Sequence, residues 1–187
     1  MRQFLGWLGL WLIGWRAVGD VPEDGRGVLI GHPHTSSFDL PIAILGTWAL
    51  GVHMKFIAKQ SLFDGPFGWL FRSFGGTGVD RSKSQDAVAQ LVARFDEGGE
   101  LLLGLAPSGT RHAGTYWRSG FYHIARAAQV PVAAGFLDYG TRRVGLAGLV
   151  DLTGDVHTDM ERIRACYAGV LGRNPERQIL ICLAEEP

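Results

Sequence analysis

The chain has 187 residues, enough for one compact domain with a sizeable core. Its composition is 47% hydrophobic and 19% charged, with 27 glycines, which is apolar for a globular domain and excludes a disordered chain. The formal net charge is zero, so no global field draws nucleic acid or an anionic membrane, and any anion recognition must come from local clusters.

Residues 4–19, FLGWLGLWLIGWRAVG, are almost wholly apolar, with Arg2 before them and Arg16 among them. The run falls short of the roughly 20 apolar residues that span a bilayer. Phe4, Trp7, Leu8, Trp11, Leu12 and Trp15 recur at helical spacing, with Gly6, Gly9, Leu10, Ile13 and Gly14 opposite them. Tryptophan favours the membrane–water interface, yet the polar face of a surface helix is missing. An interfacial anchor and a helix packed on the domain both stay open. A signal peptide is the weakest of the three readings, because the basic lead is one arginine and a strand-like run follows within a few residues. Residues 1–20 are thus expected to form an apolar N-terminal helix and 21–187 the domain proper.

From there strand-like and helical segments alternate. GRGVLIGH (25–32) reads as a buried strand, LPIAILGTWAL (40–50) as a helix, HMKFIAK (53–59) as a strand and PFGWLFRSFG (66–75) as a short helix. Residues 84–99 give the clearest helix, with Val88, Leu91, Val92 and Phe95 on one face and a glycine stop. ELLLGLAP (100–107) is a buried strand, 119–129 a helix, VPVAAGFLDYG (130–140) a strand and 156–172 a helix; the tail from Arg177 is ambiguous. Such alternation predicts a single α/β domain with a mostly parallel central sheet flanked by helices. Cys166 and Cys182 form no metal spacing and read as reduced core thiols of a cytosolic protein, with one disulfide still open.

Ligands of such sheets sit beyond the carboxyl ends of the strands, and three polar segments fall there. In GHPHTSSFDLP, His34 and Asp39 are five apart. If a helix starts near Ser36, the carboxylate can return to one imidazole nitrogen and leave the other to take a proton from an alcohol. The plainer reading is that Asp39 only caps the helix, in an S-x-x-D pattern, and His34 only packs. His32 adds a metal alternative with His34 and Asp39, but no downstream cluster supplies further ligands, so no metal is expected. In GGTGVDRSKS (75–84), Arg81 and Lys83 suit a phosphate or merely a solvated turn. In LAPSGTRHAG (105–114), Gly109, Thr110 and Arg111 offer a turn with a cation. Ser108 is no nucleophile elbow, because G-x-S-x-G fails at Ala106 and Thr110.

Together these segments resemble the lysophospholipid acyltransferase family, which includes the 1-acylglycerol-3-phosphate acyltransferases. Its H-x4-D, G-x-x-x-x-R-like, E-G-T-R and V-P segments correspond to His34 and Asp39, Gly76 to Arg81, Ser108 to Arg111, and Val130-Pro131. The resemblance implies an acyltransferase that moves a fatty acyl group from an acyl thioester to a hydroxyl of a lysophosphatidic acid-like acceptor. It implies His34 as base with Asp39 as partner, and Arg81, Gly109, Thr110 and Arg111 as phosphate ligands. It further implies no cofactor beyond acyl-CoA or acyl-carrier protein as donor, no nucleic acid, and a cytoplasmic enzyme peripheral on the inner face of the membrane through residues 3–18. The family's glutamate is Ser108 here, which leaves a thioesterase or a weakly active lipid-binding member as alternatives. Trp48, Phe56, Phe63, Phe67, Trp69 and Phe71 are candidates for an acyl slot or for core.

Overall fold

A computed structural model describes residues 1–79, 84–111 and 114–186. Among the described residues seven strands form one sheet: β1 (Arg16–Val18), β2 (Arg26–His32), β3 (Met54–Lys59), β4 (Gly76–Val79), β5 (Leu101–Leu105), β6 (Val132–Asp138) and β7 (Arg143–Val150). Their spatial order is β1-β7-β6-β2-β5-β3-β4, and every pairing is parallel except β6 with β7. The helices are α1 (Arg2–Leu12), α2 (Asp39–Ala49), α3 (Gly68–Ser73), α4 (Ser84–Asp96), α5 (Gly120–Ala127) and α6 (Val156–Cys166). The mostly parallel sheet flanked by helices is the architecture the alternating sequence predicts.

Side chains alternate across each strand, so the sheet has two faces of different character. On one, Val28 and Ile30 of β2, Leu103 of β5 and Val132 of β6 meet Phe95 of α4, Phe121 of α5 and Met160 and Ile163 of α6. Full burial of each such side chain contributes about 1.5–3 kcal/mol, so stability rests mainly on this face. On the other, Leu29, Leu102 and Ala133 form a smaller cluster with Leu146. One step toward the carboxyl ends this second face carries Gly31, Gly104 and Gly135, where Leu29 pairs with Gly104 and Gly31 with Gly135. Met54 leans over Gly104 and Leu29 over Gly135, while Gly31 stays open, and all three glycines line a hollow between the sheet and α2.

The glycine side of α1 packs on α2. A Cβ on Gly6 would lie 2.5 Å from the Ala49 nitrogen, and one on Gly9 2.8 Å from a Leu45 methyl carbon. Leu10 is buried beside them, while Phe4, Trp7, Trp11 and Leu12 are 64–69% exposed. Trp15 leaves their stripe: it follows the helix end and Gly14 (φ +71°), and its buried ring lies edge-on to Tyr139 at 4.8 Å. No helix among the described residues is long and apolar enough to cross a membrane.

Three local expectations need correction. The helix expected over residues 1–20 ends at Leu12, and Arg16–Val18 form β1 beside β7, where a Cβ on Gly145 would lie 1.7 Å from the Val18 carbonyl oxygen, so this glycine admits the pairing that the glycine-interrupted RVGLAGLV does not announce. The helix expected over 156–172 stops at Cys166, and the chain turns back so that the Leu171 N–H reaches the Asp138 carboxylate. The tail contributes core: Ile179 and Leu183 are buried, and Leu183 bridges to Trp117.

His32 ends β2 on the main-core face, its ring 5.1 Å from those of Trp117 and Tyr167. Burial pushes its pKa down to about 4, so the folded protein holds it neutral. An unfolded histidine titrates near 6.5, so the unfolded state binds the extra proton between these values and stability falls as pH drops through that window. His32→Phe is therefore expected to remove about 2 kcal/mol of the stability loss between pH 7 and pH 5. Urea unfolding of both proteins at the two pH values measures it; equal losses would show that His32 is not the responsible group.

Candidate active site

The polar loop His32–Phe38 joins β2 to α2, and one carboxylate organises it. Asp39 opens α2 rather than lying within it, since the helix begins at Asp39 and not near Ser36. Its Oδ2 accepts the N–H groups of Thr35 and Ser36, both at 2.8 Å, and lies 3.2 Å from His34 Nδ1. Its Oδ1 accepts the Tyr139 hydroxyl at 2.8 Å. The Ser36 bond is the backward bond of the S-x-x-D pattern, so Asp39 ties the loop to the start of α2 and meets His34 with the same oxygen. Asp39 is 3% exposed and His34 26%, which leaves the imidazole at the edge of solvent. Burial alone would raise the Asp39 pKa, but hydrogen bonds from His34, the Ser36 N–H and Tyr139, together with the His34 charge, outweigh it and hold the carboxyl below its ordinary range.

With Nδ1 facing Asp39, Nε2 is the imidazole nitrogen left for a ligand. His34 lines a cavity of about 1220 Å³ that also includes Asp39, Gly31, Gly104 and Gly135 and extends to Met54 and Phe56. That volume is ample for a drug-sized or larger ligand, for which pockets span about 300–1,000 Å³. Its apolar depth is the hollow left by the sheet glycines. Of the aromatic residues expected to form a slot, Phe56 and Phe71 line it; Phe63 is buried in the same cluster but does not line the cavity, Trp48 packs on Phe74, and Phe67 and Trp69 are exposed. Aromatic content alone did not distinguish wall from core.

The other candidates fall on different sides of this mouth. Arg111 follows β5, lines the cavity and donates to the Ser37 hydroxyl. Gly109 (φ +65°) and Thr110 also line it. Ser108 does not: it is buried, and its hydroxyl donates to the Thr110 carbonyl at 3.0 Å. Arg81 and Lys83 lie outside the described residues. His32 sits on the opposite face of β2 from the cavity, so it cannot join His34 and Asp39 on a metal; among the described residues no group of three or more His, Cys, Asp or Glu is placed to hold one.

Three residues lining the cavity, Arg173, Asn174 and Arg177, and one bonded to Asp39, Tyr139, have no signal in the sequence. They come from the end of β6 and from a strap after α6. The Tyr139 N–H donates to the Leu171 carbonyl, and Asn174 donates its N–H to Thr35 Oγ1 and its amide to the Thr35 carbonyl. Arg173 stacks on Phe38 with its guanidinium carbon 4.4 Å from the ring centre. Tyr139 is partly buried beside Asp39, and burial first, then the carboxylate, push its pKa well up, so it stays a donor. No spacing in the sequence links positions 139 or 173 to position 39.

The sequence profile of the family described as Acyltransferase matches residues 17–134. No curated protein matches the chain. Among solved structures, the 1-acyl-sn-glycerophosphate (LPA) acyltransferase PlsC from Thermotoga maritima is similar, at 21% identity and a TM-score of 0.61 over 90% of this chain and 75% of that one. The matched profile ends before Tyr139 and the strap.

The Tyr139 hydroxyl binds the ionised form of Asp39. A hydrogen bond to a charged group is worth about 1.5–3 kcal/mol, so Tyr139→Phe should destabilise the protein by that amount at pH 7. Because the folded-state pKa of Asp39 is depressed, the contribution is present above the ordinary carboxylate range and is lost as pH falls through the folded value. Urea unfolding from pH 7 through the acid range checks the sign; a deficit that stays constant down to full protonation of Asp39 would assign the effect to packing.

Proposed function

Since this chain belongs to the acyltransferase family, we propose that it moves a fatty acyl group from an acyl thioester to a hydroxyl of a lysophospholipid-type acceptor such as lysophosphatidic acid. The observation that carries the reading is the His34–Asp39 pair, 3.2 Å apart, at the mouth of an apolar cavity large enough for an acyl chain. The donor is acyl-CoA or acyl-carrier protein, and no further cofactor enters the chemistry.

His34 Nε2 takes the proton of the acceptor hydroxyl while Asp39, on Nδ1, fixes the tautomer and stabilises the imidazolium. The oxygen attacks the thioester carbonyl, the carbon–sulfur bond breaks, and the imidazolium returns its proton to the departing thiolate. The products are an ester and a free thiol. A thiol of pKa near 8.5 leaves readily, so no acyl-enzyme is needed. Holding hydroxyl and carbonyl together at Nε2 supplies much of the acceleration. The acyl chain occupies the hollow over Gly31, Gly104 and Gly135. Arg111, on the β5 side, holds the acceptor's phosphate, since a guanidinium group suits a phosphate dianion, and Arg81 is assigned the same role from its sequence motif alone.

The exposed face of α1 fits the same chemistry. Phe4, Trp7, Leu8, Trp11 and Leu12 form an apolar surface on a helix already packed through its glycines. We assign it to the membrane–water interface, where tryptophan is favoured and where lysolipid acceptors reside.

Two measurements test the proposal. His34→Ala should lower thiol release from acyl-CoA in the presence of lysophosphatidic acid by about 10²–10⁴-fold, with the circular dichroism spectrum unchanged. Undiminished release overturns the mechanism, and release that needs no acceptor assigns water to the hydroxyl's place and makes the protein a thioesterase. A Trp7→Ser, Trp11→Ser double variant should co-sediment with phospholipid vesicles at least about tenfold more weakly, because two aromatics lost from the interface forfeit more than 1.4 kcal/mol. Unchanged vesicle binding would remove α1 from the interface.

A further inference from the structure

The cavity mouth is cationic in a chain of zero net charge. Arg111, Arg173 and Arg177 line it, and the carboxylate that lines it with them, Asp39, is already engaged by four donors. Among the described residues Arg173 has no carboxylate within ion-pair distance, and Arg177 meets only its exposed neighbour Glu176 at 3.6 Å. The arginines are also divided between two flanks. His34 follows β2, which lies between β5 and β6. Arg111 follows β5. Arg173 belongs to the strap tied to the end of β6 through Tyr139 and Asp138, and bolted to the catalytic loop through Thr35. The two cations brace consecutive residues of that loop: Arg111 bonds Ser37 and Arg173 stacks on Phe38.

On the proposed reaction, both substrates carry phosphate. The acceptor has its headgroup, and acyl-CoA and acyl-carrier protein share the phosphate of the phosphopantetheine arm. Their reactive atoms must meet at Nε2, so their tails leave the site in different directions. Two dianions in one clamp would repel strongly where the dielectric is reduced. We infer that Arg173, on the β6 flank of His34, forms a second anion site that holds the phosphopantetheine phosphate of the acyl donor, opposite the acceptor's phosphate on the Arg111 flank. Stacking on Phe38 holds the guanidinium plane in place and leaves its N–H edge for the phosphate oxygens. The inference rests on the acyl-transfer reading, but its test does not require turnover.

The test is equilibrium binding of non-reactive thioether analogues to the wild type and to Arg173→Ala, whose exposed side chain carries no core packing. Three probes are used: an acyl-CoA thioether, the same thioether on carrier protein, and an acyl-N-acetylcysteamine thioether, which has the thiol arm without phosphate. Arg173→Ala should weaken the two phosphate-bearing probes by about 10–100-fold, as expected for one charged hydrogen-bonding partner, and leave the phosphate-free probe unchanged. Loss with only one of the two carriers also supports the site and identifies the donor. Equal affinity of wild type and variant for both phosphate-bearing probes, or an equal loss with the phosphate-free probe, overturns it. In the same preparations, a KM for lysophosphatidic acid that rises in place of donor affinity would move Arg173 to the acceptor and likewise overturn it. Absence of any turnover by a wild type that binds the probes through Arg173 would count against acyl transfer and not against the site.

Discussion

The site depends on one buried carboxylate. Asp39 gathers two backbone N–H groups, an imidazole N–H and a phenol O–H, and so joins α2, the loop after β2 and the end of β6 at a single point. An ionised carboxyl at 3% exposure is costly unless its lone pairs are filled, and here four donors fill them. The same bonds that make the charge tolerable also fix His34, because the amides of Thr35 and Ser36 are held on the oxygen that faces Nδ1. Loop shape and imidazole orientation are therefore one structural fact. A group missing from this cluster would leave a buried charge under-solvated, which is a larger penalty than the loss of an ordinary surface contact.

The division of labour between the sheet faces follows the same economy of volume. The face toward α4, α5 and α6 is filled with large side chains and supplies the stability. The face toward α2 substitutes glycine at neighbouring positions of three strands, and the space becomes a cavity. The floor of that cavity is set by the registers of Leu29 with Gly104 and Gly31 with Gly135, and by the Met54 and Leu29 side chains that lean over two of the glycines. The apolar depth and the cationic mouth then lie at opposite ends of one space, with His34 between them. An amphiphile carrying a phosphate is the ligand class that such a gradient suits.

The strap after α6 changes how the chain is divided into functional parts. The family profile covers residues 17–134 and includes the loop and the β5 turn. Tyr139, Arg173 and Asn174 lie beyond it, yet they touch Asp39, Phe38 and Thr35. Residues that could look like a terminal remnant are part of the wall around the base. Trp15 adds the other end of the chain to this wall, since its ring supports Tyr139. The segment that follows α1 and the segment that follows β6 thus meet behind Asp39.

The order of strands and helices was legible because apolar periodicity and turn residues are local signals. The pairing of His34 with Asp39 was legible only as one of two readings, since their spacing across a strand-to-helix turn permits contact without requiring it, and the fold supplies the 3.2 Å approach. Glycine-interrupted β7 was not legible, because its strand character comes from neighbours that approach Gly145 and not from its own side chains. The glycine face of α1 was visible as a pattern but not as a packing surface, since which side a helix buries is decided by the partner it meets. Which aromatics of one cluster line the cavity, Phe56 and Phe71 but not Phe63, was not legible for the same reason: it depends on how the elements pack. Tyr139, Arg173 and Asn174 stand 100 or more residues from the loop they serve, and only the parallel arrangement of β2 and β6 brings them to it. Sequence alone determined the chemical groups and their local turns; tertiary structure decided their partners, because those contacts join elements whose proximity exists only once the sheet has formed.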